Sequence, residues 1–556
     1  MATPPETAAD LVHAHWADRR PGLWFEDEAY THHQVTAAAA TRAALLTDLL
    51  PRGVEPHAAL LLDNTPEFPY WLSAAALAGA AVAGINPTRR GAELARDILH
   101  TEARLLVTER AHLPLLDGLD LPGVRVLVSD TDAYAELLEA YEGAKPGEYT
   151  LAPVTPDSRL LLYFTSGSTG APKAAICTQG RLAAAGRSLV RFHGVRAEDV
   201  HYVCMPMFHG NAVIADWAPA LAAGAGVALR RRFSASAFLS DVRRYNATYF
   251  TYVGRAIQYL LATEPAPDDR DNPLRIGFGT EAGAVDAQRF AERFGVRLVE
   301  GYGSSEGGAS IQRTADTPPG AIGRGSPGDD LAVVDPATRA ECPPARFGPG
   351  GRLLNGDEAI GELVNRGRSP FEGYWRNPEA DAARLRDGWY WTGDLFYRDT
   401  EGFLYFAGRT DDRLRVDSEN LAAAMIENIL ARWSAASAVA VYAVPDPVAG
   451  DQVMAALALR PEAGAFDPAA FGRFLDGQAD LGPKMVPTYL RLVERMPVTA
   501  TNKVHRVALR RSGFRCPDPV WWRSGASPSY APLTDRDRTA LLARYREHGR
   551  EDLLGR

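Results

Sequence analysis

The chain has 556 residues, of which 46% are hydrophobic and 23% are charged, and its formal net charge is -9 at pH 7. This length exceeds what one hydrophobic core accommodates, so the sequence predicts two or more globular domains and argues against disorder. The mild negative charge argues against a nucleic-acid-binding protein, which needs concentrated positive charge.

Four cysteines lie far apart in the sequence and form no Cys-x-x-Cys pair, namely Cys177, Cys204, Cys342 and Cys516. Their spacing predicts neither a zinc site nor a disulfide framework, and it fits a reducing cytosol. The N-terminal residues lack the charged and then apolar pattern of a signal sequence, and the sequence contains no stretch of the roughly 18 apolar residues that span a membrane. We therefore expect a cytoplasmic protein without a transmembrane segment.

Strand-like and helix-like stretches alternate along the first part of the chain. Residues 58–62 and 105–107 are apolar runs that predict buried strands, and residues 68–83 predict a buried helix between them. Further along, a predicted strand over residues 201–205 is followed by a predicted helix over residues 212–222. This alternation indicates an α/β fold with crossovers in parallel-rich sheets.

A polar, glycine-rich loop follows the apolar strand that ends at residue 164. Its two glycines remove side-chain bulk, its four hydroxyls offer donors and a lysine supplies a positive charge, which are the parts of a phosphate cradle. The residues concerned are Thr165, Ser166, Gly167, Ser168, Thr169, Gly170 and Lys173. Because Ala171 and Pro172 separate the last glycine from the lysine, the loop is not a Walker A motif. The alternative is a serine-rich surface turn, which has a similar composition.

The loop resembles the phosphate-binding signature of the adenylate-forming superfamily, which includes acyl-CoA synthetases, peptide-synthetase adenylation domains and luciferases. The resemblance extends from Tyr30 to Lys503, with the motifs in the order of the superfamily. Residues 232–238 and 252–261 are similar to the very-long-chain acyl-CoA synthetase and fatty-acid-transport branch, without its membrane anchor.

A second glycine-rich loop, residues 301–308, follows a predicted strand over residues 297–299. Ligands of open α/β sheets bind at the carboxyl ends of the strands, so the carboxylate of Glu306 is expected in a binding site. One carboxylate together with substrate phosphates suits Mg²⁺, which keeps several of its waters. Taken alone, Glu306 is equally compatible with an exposed turn. Nucleotide contacts are expected at Tyr302, Gly303, Ser304 and Ser305, and the adenine is expected to lie beside Gly279, Thr280 and Glu281.

Two charged residues further along complete the expected nucleotide site. Asp394 follows a Trp-Thr-Gly sequence and is placed to accept both hydroxyls of a ribose, and Arg409 is placed to reach the same sugar or a phosphate. Singly, each is as compatible with a turn residue or a surface charge. Their order and spacing after the two loops favour the functional interpretation.

The residues expected around the acid follow from the same resemblance. A lone histidine is more often structural, but the resemblance places His209 near the carboxylate of the substrate. The pocket is expected to include Asn211, Trp217, Gly254, Gly277, Gly301 and Gly307. Because Trp217 is bulky, a compact or cyclic acid is as plausible from the sequence as a long straight chain. The direction of the Asp216 side chain is not decided by the sequence.

Composition also predicts the domain boundaries. Proline, glycine and short strands over about residues 318–407 indicate a small β-rich subdomain, which ends an N-terminal domain over residues 1–408. The resemblance places a hinge over residues 409–411, with Asp411 as its pivot. A small mobile α+β domain over residues 412–515 and a tail over residues 516–556 complete the chain.

The resemblance implies a reaction in two halves. A carboxylate first attacks the α-phosphate of MgATP to give an acyl-adenylate and pyrophosphate, and the thiol of coenzyme A then takes the acyl group. Lys503 is expected to stabilise the charge that develops on the α-phosphate. The expected catalytic residues are Lys503, Glu306, Thr165 and His209, with Glu306 as the metal ligand, and those beside coenzyme A are Ser418, Glu419 and Asn420.

Three residues depart from the family pattern, and they leave alternatives open. Ser418 stands where the pattern has a glycine beside the pantetheine tunnel, Met425 replaces a glutamate, and Asn502 replaces the glycine before the lysine. The alternatives are an enzyme specialised to one half-reaction and, in another class, a non-catalytic protein that binds acyl-nucleotides or acyl-CoA. A carrier-protein thiol in place of coenzyme A and a homodimer also remain open.

Overall fold

A computed structural model of the chain describes residues 5–165, 173–280, 282, 284–304, 306–318, 320–326, 328–336, 338–347, 355–367, 371–409, 413–416, 419–460, 463–478, 481–497, 506–523 and 529–554. These residues form two compact units. The first contains the described residues of Met1–Pro87, Leu94–Thr165 and Lys173–Thr410, and the second contains those of Thr88–Glu93 and Asp411–Arg556.

The strands that precede residue 410 are Pro21–Phe25 (β1), Glu28–Thr31 (β2), His57–Leu61 (β3), Ala81–Gly84 (β4), Leu105–Thr108 (β5), Arg125–Val128 (β6), Arg159–Thr165 (β7), Lys173–Thr178 (β8), Val200–Val203 (β9), Gly226–Leu229 (β10), Tyr249–Val253 (β11), Ile276–Thr280 (β12), Arg297–Gly303 (β13), Ser310–Gln312 (β14), Arg324–Gly325 (β15), Leu331–Val334 (β16), Gly361–Asn365 (β17), Leu385–Arg386 (β18), Trp389–Arg398 (β19) and Leu404–Arg409 (β20). Those that follow are Arg413–Val416 (β21), Glu419–Ala422 (β22), Ala436–Pro445 (β23), Asp451–Leu459 (β24), Tyr489–Val493 (β25), Val520–Trp522 (β26) and Ala531–Pro532 (β27).

The α-helices are Ala8–Ala14 (α1), His32–Leu49 (α2), Glu67–Ala78 (α3), Gly91–His100 (α4), Asp132–Glu139 (α5), Gln179–His193 (α6), Ala218–Ala223 (α7), Phe238–Arg244 (α8), Gly254–Leu261 (α9), Ala284–Phe294 (α10), Gly356–Ala359 (α11), Pro378–Arg384 (α12), Ala423–Leu430 (α13), Pro468–Asp476 (α14), Arg506–Ser512 (α15) and Asp535–Glu547 (α16). Asn211–Trp217 is a π-helical turn that continues into α7. Among the helices described, none is both long and apolar enough to cross a membrane.

One sheet of the first unit has six strands in the order β6-β5-β3-β4-β7-β8. All its pairs are parallel except β7 with β8. Every residue of β3 and β4 is buried, as expected of parallel strands that are covered on both faces. In the antiparallel β7-β8 pair Thr165 lies opposite Lys173, so the two ends of the first glycine-rich loop are neighbours.

A second sheet of the first unit has nine strands in the order β15-β14-β13-β12-β11-β9-β10-β1-β2. Within this sheet, the successive strands β13, β12, β11, β9, β10 and β1 are parallel to one another. The carboxyl ends of β9, β12 and β13 therefore lie at the same edge of the sheet, where the predicted site residues His209, Gly279, Thr280 and Glu306 follow or end these strands. An antiparallel sheet of β16, β17, β18, β19 and β20 forms the β-rich subdomain.

The second unit has its own sheet and core. Five strands lie in the order β23-β24-β25-β26-β27, and β24 with β25 is the parallel pair among them. Both faces of this sheet pack against buried apolar side chains. The α/β fold class, with a large N-terminal domain and a smaller α+β C-terminal domain, is thus confirmed.

Two predicted helices differ in the structure. The helix predicted over residues 68–83 ends at Ala78, because Gly79 adopts a left-handed conformation with φ of 68° and caps α3. The residues after it form β4 in the middle of the six-stranded sheet. The helix predicted over residues 212–222 begins as the π-helical turn. Apolar residues fill both segments, so their pattern did not separate a helix from a strand or an α-helix from a π-helix.

Candidate active site

The two glycine-rich loops meet at Thr165 and Glu306. Thr165 is the last residue of β7, and Glu306 follows β13 in the other sheet. The hydroxyl Oγ1 of Thr165 donates a hydrogen bond to Glu306 Oε1 over 3.1 Å. The fold thus brings together two predicted site residues that are 141 positions apart in the sequence.

Glu306 is almost completely buried, with 6% of its surface exposed. Its Oε1 also accepts a hydrogen bond from the hydroxyl of Tyr374 over 3.0 Å. Burial, and then the negative charge of Glu306, raises the pKa of Tyr374 far above its usual value. The tyrosine therefore stays protonated and acts as a donor to the carboxylate.

Two basic residues lie beside Tyr374. The Nζ atom of Lys173 lies 5.4 Å from the centre of the Tyr374 ring, and Nε of Arg384 donates to the Tyr374 hydroxyl over 3.4 Å. Burial lowers the pKa of Arg384, but its interactions with Tyr374 and with the negative charge of Glu306 outweigh burial and raise the pKa above the usual value. A buried carboxylate with positive charge nearby is thus surrounded by hydroxyl donors, an arrangement suited to anionic phosphates and a cation.

Asp394 is joined to the second loop through Tyr302. The hydroxyl of Tyr302 donates to Asp394 Oδ2 over 2.7 Å. The Tyr302 ring packs edge-on against Phe396, with 4.9 Å between ring centres. Burial, and then the charge of Asp394, raises the pKa of Tyr302, so this tyrosine is also a donor. Arg409 lies opposite Asp394 in the β19-β20 pair, which places its backbone beside the same residue.

The turn before Asp394 is held by its own hydrogen bonds. Thr392 Oγ1 donates to the Leu363 carbonyl over 2.8 Å and accepts from the Asp394 N–H over 3.1 Å. The N–H of Gly393, whose φ is 75°, donates to Glu362 Oε1 over 2.7 Å. A glycine suits this left-handed conformation, so the Trp-Thr-Gly-Asp sequence has a structural reason in addition to its predicted function.

His209 lies in the segment that connects β9 with the π-helical turn. Its backbone N–H donates to the Pro206 carbonyl over 3.1 Å, which closes a tight turn. Its half-buried ring contacts the ring of Phe208, with 4.5 Å between ring centres. The turn is packed closely, because a β-carbon on Gly84 would lie 2.8 Å from the Phe208 backbone.

The glycines predicted to line the acid pocket differ in what fills the space beside them. A β-carbon on Gly301 would lie 2.9 Å from the ring of Phe278, and one on Gly307 would lie 2.4 Å from the Arg181 guanidinium. At Gly277 the space is taken by Phe250 and Leu298, its neighbours on the adjacent strands. Gly254 is the first residue of α9, and Trp217 is 5% exposed in the main apolar core. Aromatic rings and a guanidinium therefore pack directly on the backbone at three of these positions.

The remaining nucleotide-contact predictions fall at the ends of β12 and β13. Gly279 and Thr280 end β12, and Tyr302 and Gly303 end β13. The side chain of Ser304, directly after β13, accepts from the Gly307 N–H over 3.2 Å. These residues lie at the edge where the parallel strands end.

Several predicted residues lie outside the described part of the chain, namely Ser166, Gly167, Ser168, Thr169, Gly170, Glu281, Ser305, Asp411, Ser418, Asn502 and Lys503. The structure gives the backbone alone for Arg409, Glu419, Asn420 and Met425. Their predicted roles therefore remain predictions.

Three residues that contact the candidate site were not predicted from the sequence. Tyr374 and Arg384 come from the segment between the β-rich strands, where a buried tyrosine and an arginine carry no local signal of function. Arg181, at the start of α6, fills the space beside Gly307 and has its pKa raised, since the charges around it outweigh the effect of burial. The one feature of the sequence that indicates a close contact here is Gly307, because a glycine leaves room for a neighbouring side chain such as Arg181.

Two family models match the chain. The model of the AMP-binding enzyme family matches residues 12–375, and that of the AMP-binding enzyme C-terminal domain matches residues 425–503. Together they cover most of the chain, and the second match ends at Lys503.

Similar proteins are CoA ligases and fatty acid transport proteins. The chain is 48% identical to a steroid-22-oyl-CoA synthetase from Rhodococcus jostii, over 99% of each chain. It is 44% identical to the medium/long-chain-fatty-acid--CoA ligase FadD17 from Mycobacterium marinum, over 90% of this chain and 95% of that protein. Human long-chain fatty acid transport protein 5 is 31% identical, over 86% of this chain and 73% of that protein.

A solved structure shares the fold. The o-succinylbenzoate CoA synthetase from Bacillus subtilis superposes with a TM-score of 0.75 at 22% identity, over 93% of this chain and 99% of that one. At this identity the similarity concerns the fold alone. The sequence similarities agree with the resemblance that the motifs indicated, including its fatty-acid-transport branch.

Proposed function

Because the chain belongs to the AMP-binding enzyme family of adenylate-forming enzymes, we propose that the residues around Glu306 activate its carboxylic acid substrate with ATP. The protein is an acid-thiol ligase of the AMP-forming type, since relatives at 44% and 48% identity are CoA ligases. Such a ligase converts an acid into an acyl-adenylate and then into a thioester of coenzyme A. These relatives do not favour a non-catalytic binding protein or an enzyme of one half-reaction.

The contact between Thr165 and Glu306 carries the proposal for the first half-reaction. It joins the base of the phosphate-binding loop to the carboxylate of the second loop over 3.1 Å. Lys173 lies at the other end of the phosphate-binding loop, opposite Thr165. ATP phosphates bound by this loop would thus lie beside Glu306, with positive charge on their other side.

The residues around Glu306 fit Mg²⁺. A buried carboxylate and a neighbouring threonine hydroxyl are oxygen ligands, and Mg²⁺ prefers a few such ligands together with waters and substrate phosphates. In the proposed site, Glu306 and Thr165 would hold the ion, and Tyr374 would orient Glu306. When bound, Mg²⁺ would neutralise charge on the phosphates.

Asp394 and Tyr302 form the proposed ribose site. Asp394 is 7% exposed, and one of its oxygens is already oriented by Tyr302. A fixed carboxylate at this position suits the two hydroxyls of a ribose, which are both donors. Arg409 is proposed to reach the same sugar or a phosphate, because its backbone lies opposite Asp394.

The C-terminal unit is proposed to supply Lys503 and the coenzyme A site. Lys503 would stabilise negative charge on the α-phosphate while the carboxylate of the acid attacks, with His209 near the attacking group. Rotation about Asp411 would then bring Ser418, Glu419 and Asn420 to the pantetheine arm. The family match up to residue 503 supports this part of the proposal.

A polycyclic acid with a short carboxylate side chain is the proposed substrate class. The steroid-22-oyl-CoA synthetase is 48% identical to this chain over 99% of both chains. Both the identity and the coverage are higher than for the fatty-acid ligase, which is 44% identical over 90% of this chain. Aromatic residues along the proposed pocket, namely the buried Trp217 and the half-buried Phe278, suit a rigid ring system. Medium- and long-chain fatty acids are the second candidate, because the fatty-acid ligase is 44% identical.

The reaction suits the cytoplasm, where ATP and coenzyme A are available. The four cysteines are free and three are buried, which fits a reducing compartment. We therefore propose that the protein is located in the cytoplasm.

The experiment that tests the substrate class compares acids in one assay. Thioester formation is measured with a steroid that carries a carboxylate at C22 and with a series of medium- and long-chain straight-chain acids. A reaction without acid gives the background rate. The proposal predicts the highest kcat/KM for the steroid acid. A higher kcat/KM for every straight-chain acid would replace the polycyclic class with fatty acids.

A further inference from the structure

A buried polar network lies under the π-helical turn. Asp216, in this turn, is completely buried, and so is His201 of β9. Asp216 Oδ1 lies 2.9 Å from His201 Nδ1, and Asp216 Oδ2 accepts hydrogen bonds from the Thr251 N–H over 3.2 Å and the Thr251 hydroxyl over 2.9 Å. One aspartate side chain therefore ties the turn to two neighbouring strands of the nine-stranded sheet.

Further contacts hold the same turn against the sheet. The Tyr249 hydroxyl donates to the Ala215 carbonyl over 3.0 Å, and the Tyr249 ring stacks on His201 with 4.2 Å between ring centres. His201 pairs with Tyr249 in the β9-β11 ladder, and Thr251 is two residues further along β11, so these three side chains share one face of the sheet. On the other side, a β-carbon on Gly186 of α6 would lie 2.7 Å from the Ala218 carbonyl oxygen.

The turn is irregular in a way that often marks function. π-helical turns are rare and occur frequently at functional sites. Asn211 begins this turn, and its buried Oδ1 accepts no hydrogen bond from any residue that the structure describes. An unpaired buried acceptor is costly, which points to a donor from a bound molecule. The turn begins two residues after His209, where the carboxylate of the acid is proposed to bind.

We propose that Asp216 is a positioning residue that determines which acids are accepted. Through His201 and Thr251 it fixes the π-helical turn, and the turn sets the shape of the acid pocket at Asn211 and Trp217. The inference rests on the proposed function, because it takes Asn211–Trp217 as one wall of that pocket. Asp216 itself is fully buried and has its carboxylate directed at the sheet, so it acts through the turn and does not pair with a charged substrate group.

The test compares three variants of the full-length enzyme with the wild type. Asp216→Ala removes the hydrogen bonds that join the turn to His201 and Thr251. Asp216→Asn keeps them, because its carbonyl oxygen can accept from Thr251 while its amide donates to His201 in the other tautomer. Thr251→Val removes the hydroxyl alone and is the milder change if Asp216→Ala does not fold.

Tyr202→Phe is the matched control. Tyr202 is adjacent to His201 in β9 and points to the opposite face of the sheet. Its hydroxyl donates to the buried carboxylate of Asp241 over 2.7 Å. The control thus removes a hydrogen bond to a buried aspartate from the same strand without touching the turn.

The readout is the ratio of kcat/KM between a rigid polycyclic acid and a straight-chain acid, together with KM for MgATP and for coenzyme A. Asp216→Ala is expected to change the ratio by about tenfold or more, since small shifts of a pocket wall change discrimination on that scale. The KM values for MgATP and coenzyme A should stay close to those of the wild type. Asp216→Asn and Tyr202→Phe should keep the wild-type ratio, and Thr251→Val should change it in the same direction as Asp216→Ala.

An unchanged ratio in Asp216→Ala, or in Thr251→Val if the alanine variant does not fold, would overturn the inference even if both variants melt at lower temperature. An equal change in Tyr202→Phe would also overturn it, since the effect would then come from general loss of stability. Failure of the proposed substrate class appears separately, as wild-type preference for straight chains. In that case the ratio between a short and a long straight-chain acid reports on Asp216 in the same way.

Discussion

Thr165 Oγ1 lies 3.1 Å from Glu306 Oε1, although 141 residues separate the two in the sequence. One residue ends a strand of the six-stranded sheet, and the other follows a strand of the nine-stranded sheet. The residue that precedes the first glycine-rich loop and the carboxylate of the second loop are therefore in contact within the first unit. The chemistry that we propose for the first half-reaction depends on this contact.

Changing Glu306→Gln should greatly slow adenylate formation. The amide keeps the size of the side chain but removes the negative charge that would hold Mg²⁺ beside the phosphates. We expect a loss of about 100-fold or more in ATP-pyrophosphate exchange, the usual scale for a preorganised electrostatic group. Thioester formation from a supplied acyl-adenylate should be nearly unchanged.

Glu109→Gln is the control for that experiment. Glu109 is also buried, but it pairs with Arg231 over 2.5 Å and has no predicted role in the site. If Glu306→Gln and Glu109→Gln slowed the exchange equally, the effect would be structural and Glu306 would lose its assigned role.

Changing Tyr374→Phe should weaken binding of MgATP. The variant removes a hydrogen-bond donor 3.0 Å from Glu306 Oε1 but keeps the ring. A hydrogen bond to a charged group contributes about 1.5–3 kcal/mol, so we expect KM for MgATP to rise by about tenfold or more, with KM for the acid unchanged. Tyr405→Phe, which removes a comparable bond to Asp399 at 3.1 Å, should leave both constants unchanged. A wild-type KM for MgATP in Tyr374→Phe would remove the tyrosine from the site.

Changing Lys503→Ala should separate the two half-reactions. The lysine is proposed to stabilise charge on the α-phosphate, so ATP-pyrophosphate exchange should fall by about 100-fold or more. Thioester formation from a supplied acyl-adenylate and coenzyme A should persist, because that step does not involve attack on the α-phosphate. Equal losses in both assays would contradict the role assigned to Lys503.

Changing His193→Phe should reduce the loss of stability at acidic pH. Burial, and then the neighbouring His201, lowers the pKa of His193 from 6.5 to about 4. The unfolded chain thus binds a proton below pH 6.5 that the folded chain does not bind until about pH 4, so stability falls as the pH falls through this window. Phenylalanine fits the ring site beside Tyr249 and Phe278 and binds no proton.

The measurement for His193 is the free energy of unfolding at pH 7.5 and pH 5. Between these values the variant should lose about 1–2 kcal/mol less than the wild type. Identical losses in the two proteins would show that His193 titrates normally in the folded state.

The sequence predicted the fold class and the loops of the site, because glycines, hydroxyls and a lysine in a fixed order have few other uses. Thr165 and Glu306 were predicted in this way, and the structure places them in hydrogen-bond contact. Tyr374 and Arg384 were not found, since the chain carries them to Glu306 from a segment without a local signal. The direction of Asp216 was undecided for the same reason, because its partners His201 and Thr251 lie on strands whose pairing the sequence pattern does not give.

Local sequence also did not fully determine the secondary structure of two single segments. Residues 68–83 are apolar throughout, and the left-handed Gly79 alone separates a helix from a strand there. Residues 211–217 have a composition that suits an α-helix, whereas the hydrogen bonds of the turn follow the π-helical pattern. Tertiary contacts of Asp216 and Ala215 with the sheet provide the physical reason for that difference.

The most direct test of the account is to follow both half-reactions with the same acid. ATP-pyrophosphate exchange and thioester formation with coenzyme A are measured for the wild type with a steroid that carries a carboxylate at C22. The account predicts that the acid supports exchange and that its thioester accumulates. Thioester formation from a synthetic acyl-adenylate without any exchange, for this acid or for fatty acids, would contradict it, because the site around Glu306 would then not activate an acid.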